Sequence, residues 1–427
     1  MSYLKKYSFI LSKKNIKYFI ILSLDKIFNI FFLLITAKLL KPEEYGIYSQ
    51  ETTASSILSN ISLFGLSTPF VIYYFQYSLD KSKAITIINY LFRISFFLFT
   101  LLTLFLFIFN TFFLDLIFSV LKNELLVILV IMLLSDIFSD YIILCKRLIQ
   151  DKISISKYIF IKNIFKFLSF FILFFITKSF ITSLYVSVIT SLFFNIFVYY
   201  KLIQFSFTFH KINNNFFYIE CLLFLSLYIL SNITLYTINV YLIKFYDLKM
   251  ISIYAFNNSL SSLPLFFVTI VGYFLFPSFT IFMKENNFSK AKKLLFIASV
   301  LFILFFLVSQ LLIYILFNYF KISLLNNNLF NNKMFFILCF SNLLTGLNSI
   351  IQYPLIYKKE FKILFFGLIS CSIINFIIII YFNKILEEYT PVFSFLTSTF
   401  FLLLYNSFYF NLSLRKSNDN KMTKLVI

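Results

Sequence analysis

A handful of ionisable residues interrupt runs that are otherwise apolar: Asp25, Lys26, Arg93, Asp136 and Asp140, with Glu51 and Glu220 a few residues inside the ends of two more runs. An ionisable group in hydrocarbon costs roughly 2.5 to 3.5 kcal/mol even on the gentler insertion scale, so each should face a partner or a wet cavity. Asp136 and Asp140 are spaced i, i+4, which puts both carboxylates on one helix face. Arg93 enters its run by ~12 Å of helical rise, and Asp140 and Asp136 lie at similar depth in the next run. That match allows an ion pair between the two segments, or a wet surface that handles substrate or protons. Lys26 sits ~14 Å inside the first run, deep enough to meet an anionic solute. Asp25 beside it points about 100° away, so the two need not neutralise each other. Glu51 and Glu220 are expected to snorkel to an interface. The four cysteines, Cys145, Cys221, Cys339 and Cys371, stand singly with no CxxC or CxxH spacing, and no Gly-Lys-Ser/Thr phosphate loop occurs. Neither a metal site, a cofactor nor direct use of ATP is expected, and the chain is not read as an enzyme.

The elements that must position these residues are membrane helices. Of 427 residues 61% are hydrophobic and only 13% charged, with 66 Phe and no Trp, and mean hydropathy is +0.92. Soluble domains carry about a quarter charged residues. Apolar runs long enough to cross a ~30 Å core fall near residues 17–37, 47–75, 85–109, 124–145, 155–176, 180–200, 217–243, 252–282, 294–317, 334–356, 363–382 and 391–411. This predicts an all-α polytopic protein of about twelve spans. The first run follows Lys5, Lys6, Lys13, Lys14 and Lys17 but has no small-residue cleavage site after it, so it reads as a retained span. Lys and Arg gather in both terminal segments and the even-numbered loops, the six from Lys146 to Lys166 forming the largest group. The positive-inside rule therefore places both termini in the cytoplasm. The formal charge of +20 lies along one membrane face, which removes the nucleic-acid reading it would otherwise invite. Lys41-Pro42-Glu43-Glu44 then becomes the outside turn of the first helical hairpin, and His210 sits in a solvated stretch.

The chain also echoes itself. Ile47-Tyr48 and Ser55-Ser56-Ile57 recur as Ile253-Tyr254 and Ser261-Ser262-Leu263 at an offset of 206, and Ser82-Lys83-Ala84 recurs as Ser289-Lys290-Ala291 at 207. The traces favour two six-helix lobes in the same orientation, residues 1–205 and 206–414, followed by a basic tail, 415–427. Such repeats place transport sites at their interface. Polar flanks on span 2 (Gln50 to Asn60) and span 8 (Asn257 to Ser262) suit either a sugar-sized aqueous lining or hydrogen bonds between helices.

Leu39-Leu40-x-Pro42-Glu43-x-Tyr45-Gly46-x-Tyr48 after a first span resembles the polysaccharide (Wzx-type O-antigen) flippases of the multidrug/oligosaccharidyl-lipid/polysaccharide (MOP) exporter superfamily. The span plan and the repeat extend the likeness over essentially the whole chain. It departs at Asn239, where members of that family often carry an acidic residue. The resemblance implies movement of an undecaprenyl-diphosphate-linked oligosaccharide from the cytoplasmic to the outer leaflet of a bacterial inner membrane. Its partners would be that substrate, membrane lipids and the polysaccharide polymerase and chain-length machinery, with no nucleic acid. Lys26 and Arg93 become candidate headgroup contacts. Asp25, Asp136 and Asp140 become candidate carriers for an H⁺ or Na⁺ gradient, between which the sequence does not choose. The rivals are a multidrug antiporter of the same superfamily, and a membrane polymerase or glycosyltransferase, which the short outside loops disfavour.

Overall fold

Helix α7, Phe180–Leu202, shows why this sequence folds as it does. Its buried residues Ser183, Ser187, Ser191 and Asn195 recur every fourth position, while Phe193, Phe197 and Tyr200 on the other side are exposed. A soluble amphipathic helix has the opposite arrangement. In a bilayer, small polar residues let helices approach and hydrogen-bond, and aromatic side chains face lipid. The computed structural model describes residues 13–63, 81–118, 123–148, 152–202, 215–268, 287–318, 329–358 and 360–422, with isolated positions between 279 and 285. These residues form α1 (Lys13–Leu39), α2 (Pro42–Ser62), α3 (Lys81–Ile108), α4 (Asn110–Phe118), α5 (Asn123–Leu148), α6 (Lys152–Thr177), α7 (Phe180–Leu202), α8 (Asn215–Phe245), α9 (Leu248–Ser262), α10 (Phe288–Asn318), α11 (Asn332–Ile351), α12 (Tyr353–Tyr357), α13 (Phe361–Leu386) and α14 (Thr390–Met422). No strand occurs among them. Nine stretches of the described residues are long and apolar enough to cross a bilayer, the last joining α13 to the first part of α14. This is an all-α polytopic membrane protein.

The chain divides into two compact units, Met1–Ile229 and Leu230–Ile427. In the first, α5 packs against α2, α3 and α7, and α6 packs against α1 and α7. Leu129, Leu133, Ile137 and Tyr141 of α5 are buried with Ile88 and Leu91 of α3. In the second, α11 packs against α9, α10 and α14, and α14 against α13. Tyr241 of α8 and Tyr254 of α9 are buried there with Met334, Leu338 and Phe395. Side-chain caps begin two of these helices: Asp247 accepts from the Met250 amide at 2.8 Å and Asn331 from the Met334 amide at 3.1 Å.

Several sequence expectations need correction. Pro42, Glu43 and Glu44 form the first helical turn of α2 instead of a loop between the two helices, because proline is tolerated at the first helical position, where its missing N–H is not needed. The Lys41 amide donates to Glu44 Oε2 at 3.0 Å, which closes that turn. The third run continues past Phe109 into α4, and the tenth breaks at Gln352 ahead of Pro354. Lys157, Lys162 and Lys166, counted above with the inside loop, belong to α6. Residues 415–422 of the expected tail continue α14 as helix. All four cysteines are buried and none forms a disulfide. His210 and the side chain of Glu220 lie outside the described residues.

Candidate functional site

The polar interior of the first unit gathers most of the residues singled out from the sequence. Asp25 on α1 is 1% exposed and accepts two amide hydrogen bonds, from Asn163 Nδ2 on α6 at 2.8 Å and from Asn29 Nδ2 at 3.2 Å. One turn separates Asp25 from Asn29, so both stand on the same helix face. Lys26 is half-buried and acts electrostatically on Asp25, as does Lys162 of α6. Lys162 donates to Ser139 Oγ on α5 at 2.9 Å. One turn further along α6, Lys166 lies within electrostatic reach of Asp136 and Lys162. Asp136 accepts from Ser55 Oγ on α2 at 2.7 Å. Asp140 is half-buried and acts on Tyr141 and Tyr158.

Around these charges the helices are fixed by neutral bonds. Asn195 Nδ2 of α7 donates to the Ser135 carbonyl at 2.8 Å and to Ser135 Oγ at 3.0 Å, and Tyr158 OH donates to Asn195 Oδ1 at 2.6 Å. On the α1–α6 face the rings of Phe28 and Phe167 stand 4.6 Å apart, edge to face. The lysines therefore project from a packed α6 whose neighbours supply carboxylates and hydroxyls, an arrangement suited to anion contact and to carriage of a cation.

Two expected site residues lie apart from this cluster. Glu51 is fully buried on α2, and neither of its oxygens has a hydrogen-bond partner. It does not snorkel, because it stands ~14 Å along the helix from Pro42 and faces inward with Ser55 and Ser59. Arg93 lines an outward-opening recess on α3. Of the two carboxylates matched to it in depth, Asp136 turns to α2. The polar flank of α2 is largely a packing surface: Gln50, Glu51, Ser55 and Ser59 are buried, while Thr52, Thr53 and Asn60 bond to their own helix backbone.

Sequence reasoning missed Lys162, Asn163 and Lys166. Two lysines at i, i+4 within the apolar run from Ile153 to Thr177 were the available signal. Among the described residues no group of three or more His, Cys, Asp or Glu gathers as a metal site.

In the second unit every buried polar side chain among the described residues is uncharged. Asn342 Nδ2 on α11 donates to Ser261 Oγ on α9 at 2.8 Å. Asn257 donates to the Leu329 carbonyl at 2.8 Å and accepts from the Asn331 amide at 3.2 Å. Asn406 donates to Asn348 at 2.7 Å.

No protein-family model and no curated protein matches the sequence. Solved structures do. The lipid II flippase MurJ, in an inward closed conformation, superposes with a TM-score of 0.70 at 15% identity, over 96% of this chain and 92% of that one. An inward-facing multidrug-resistance MATE transporter of the MOP superfamily gives 0.68 at 11% identity, over 95% and 99%. A MOP-superfamily transporter from Pyrococcus furiosus, described as having a binding pocket of reversed polarity, gives 0.58 at 11% identity, over 95% of each chain. Over 95–96% of its length the chain thus shares the fold of these transporters.

Proposed function

We propose that this protein is a flippase that carries an undecaprenyl-diphosphate-linked oligosaccharide from the cytoplasmic to the outer leaflet of a bacterial inner membrane, for O-antigen or capsular polysaccharide assembly. The observation that carries the reading is the set of lysines, Lys26, Lys162 and Lys166, held at membrane depth inside the first unit of a fold shared with a lipid flippase. Fixed cations lower the cost of bringing a diphosphate into the bilayer. Their carboxylate neighbours, Asp25, Asp136 and Asp140, hold the lysines in place when substrate is absent and are the groups through which an H⁺ or Na⁺ gradient couples. Both termini are cytoplasmic, and the polymerase and chain-length machinery are the downstream partners.

A repeat of two six-helix lobes, 1–205 and 206–414, supports alternating access. Two hydrogen bonds favour it. Ser55 bonds Asp136 and Ser261 bonds Asn342, and each residue of the second pair stands 206 positions after its counterpart. Helix packing agrees, since α5 contacts α2, α3 and α7 as α11 contacts α9, α10 and α14.

The carboxylates favour a second reading, an antiporter of organic cations. Reconstitution separates the two. Vesicles holding the protein and a fluorescent undecaprenyl-diphosphate sugar should expose the inner-leaflet fluorophore to an external quencher, and Lys26→Gln or Lys166→Gln should slow that exposure. Ethidium movement driven by a proton gradient, with no movement of the glycolipid, would refute the flippase.

A further inference from the structure

Lys162 and Asp25 attract each other without touching. Asn163 occupies one oxygen of Asp25 and Asn29 the other, and Lys162 forms no ion pair with a carboxylate among the described residues. Its ammonium donates instead to Ser139 Oγ at 2.9 Å. A lysine held by a hydroxyl keeps its charge available, and its remaining N–H groups can serve another acceptor.

One backbone carbonyl fixes the direction of every bond behind Ser139. The Ser135 carbonyl can only accept, so Asn195 turns Nδ2 to it at 2.8 Å and Oδ1 toward Tyr158. Tyr158 OH therefore donates to Asn195 Oδ1 at 2.6 Å, which leaves the phenolic oxygen as an acceptor. Tyr158 also hydrogen-bonds Ser139. With the tyrosine proton committed, the Ser139 hydroxyl is the donor of that bond, and Ser139 Oγ presents lone pairs to Lys162, a partner that can only donate. Ser139, Tyr158 and Asn195 are buried on α5, α6 and α7, so the chain is clamped among three packed helices. Hydroxyls elsewhere serve their own helices: those of Ser187, Ser341 and Thr345 donate to carbonyls three or four residues back.

We infer that Ser139 and Tyr158 are positioning residues that hold the Lys162 ammonium short of Asp25 and so keep it available as a phosphate contact. The carboxylate draws the ammonium inward by long-range attraction, and the hydroxyl sets where it stops. An ammonium closed onto Asp25 would have to break an ion pair before meeting a ligand and would leave a bare buried carboxylate behind. Transfer from a neutral hydroxyl to a phosphate leaves none. The inference rests on the reading of the α6 lysines as headgroup contacts.

Binding of inorganic pyrophosphate to the full chain in phosphatidylcholine nanodiscs, measured by titration calorimetry, tests the arrangement without requiring transport. Wild type should bind. Ser139→Ala should weaken binding about tenfold, the scale of one hydrogen bond to a charged group, and Lys162→Gln at least as far, whereas Ser139→Thr, which keeps the hydroxyl, should bind as wild type does. Tyr158→Phe should weaken binding about threefold, the scale of a neutral bond. In an Asp25→Asn background the loss from Ser139→Ala should shrink below about twofold, because the released ammonium has no carboxylate there to close onto. A merely structural role for Ser139 does not produce that dependence. No pyrophosphate binding by wild type, undiminished binding in Ser139→Ala or Lys162→Gln, or an equal loss with and without the Asp25 carboxylate would overturn the inference. Should Ser139→Ala fail to accumulate, Tyr158→Phe compared in the two backgrounds decides in the same way. If the pyrophosphate pattern holds and wild-type vesicles move no glycolipid, the flippase reading fails while the positioning of Lys162 stands.

Discussion

Moving the buried carboxylate from α1 to α6 tests how the first unit is held together. Asp25 and Asn163 share a 2.8 Å bond, with Asn29 as a second donor at 3.2 Å. Asn163→Asp sets two carboxylates against each other. Like charges ~4 Å apart at an effective dielectric of ~20 repel by about 4 kcal/mol. The lost charged hydrogen bond adds about 1.5 to 3 kcal/mol. Asp25→Asn alone replaces a charged acceptor by a neutral one and costs less, about 1 kcal/mol. The double variant Asp25→Asn/Asn163→Asp restores a carboxylate–amide bond of reversed direction, with Lys162 on the carboxylate's own helix. It should recover most of what Asn163→Asp loses. Survival after heating, followed by fluorescence-detected gel filtration, measures the ranking. At about 2 to 4 °C per kcal/mol for a unit of this size, these losses together, about 5.5 to 7 kcal/mol, should lower the single Asn163→Asp by about 11 to 28 °C. A double variant as labile as Asn163→Asp would show that the two side chains are not coupled, and that Asp25 depends on other donors.

Further outcomes follow from single residues. Glu51→Gln should raise thermal survival by a few degrees, because a neutral side chain of the same shape replaces a carboxyl whose oxygens find no donor; a loss of stability would mean that the carboxyl has an essential partner. Gly346→Ala should destabilise by about 1 to 3 kcal/mol, since an added Cβ meets the Phe302 ring across the α10–α11 contact, and Phe302→Leu should relieve part of that loss. On a cysteine-free background, a cysteine at Glu43 should react with an impermeant reagent from outside and one at Lys292 only from inside; outside labelling at Lys292 reverses the orientation.

The helices were largely legible because period and length in an apolar chain report spans directly. The run read as 180–200 is α7, Phe180–Leu202, and that read as 124–145 is α5, Asn123–Leu148. Depth along a span was legible too, since 1.5 Å of rise per residue needs no knowledge of neighbours. What faces a side chain was not. Glu51 lies close to a helix start in sequence, and only the packing of neighbouring helices on α2 decides that it is sealed in. Lys162 and Lys166 lie within the run read as 155–176, and a count of inside-facing charge that includes them does not separate loop lysines from lysines at membrane depth. Asn163 was invisible for a different reason: an amide in an apolar run carries no charge to flag it, although it supplies the shorter of Asp25's two bonds.

The same blindness to amides concealed a further trace of the proposed repeat. Ser135-Asp136-x-x-Ser139 on α5 is matched by Ser341-Asn342-x-x-Thr345 on α11, again 206 positions later, and Glu51 is matched by Asn257. At each pair the first unit carries a carboxyl where the second carries a neutral amide, the direct analogue at Asp136/Asn342 and one methylene shorter at Glu51/Asn257. The amides are satisfied locally: Asn342 by Ser261, and Asn257 by the backbone at Leu329 and Asn331. A neutral amide offers donor and acceptor at once, so it completes a helix contact without a counter-charge. A carboxylate needs a donor or a cation, and α6 supplies Lys162 and Lys166 as electrostatic neighbours of Asp25 and Asp136. If the two units repeat one plan, charge is an addition made to the first, beyond what helix packing requires. If the proposed transport is correct, replacing Asp136 by asparagine, the residue its counterpart already uses, should preserve folding and its bond to Ser55 while uncoupling glycolipid movement from the ion gradient. Unchanged, gradient-dependent movement in Asp136→Asn would return that carboxylate to a purely structural role.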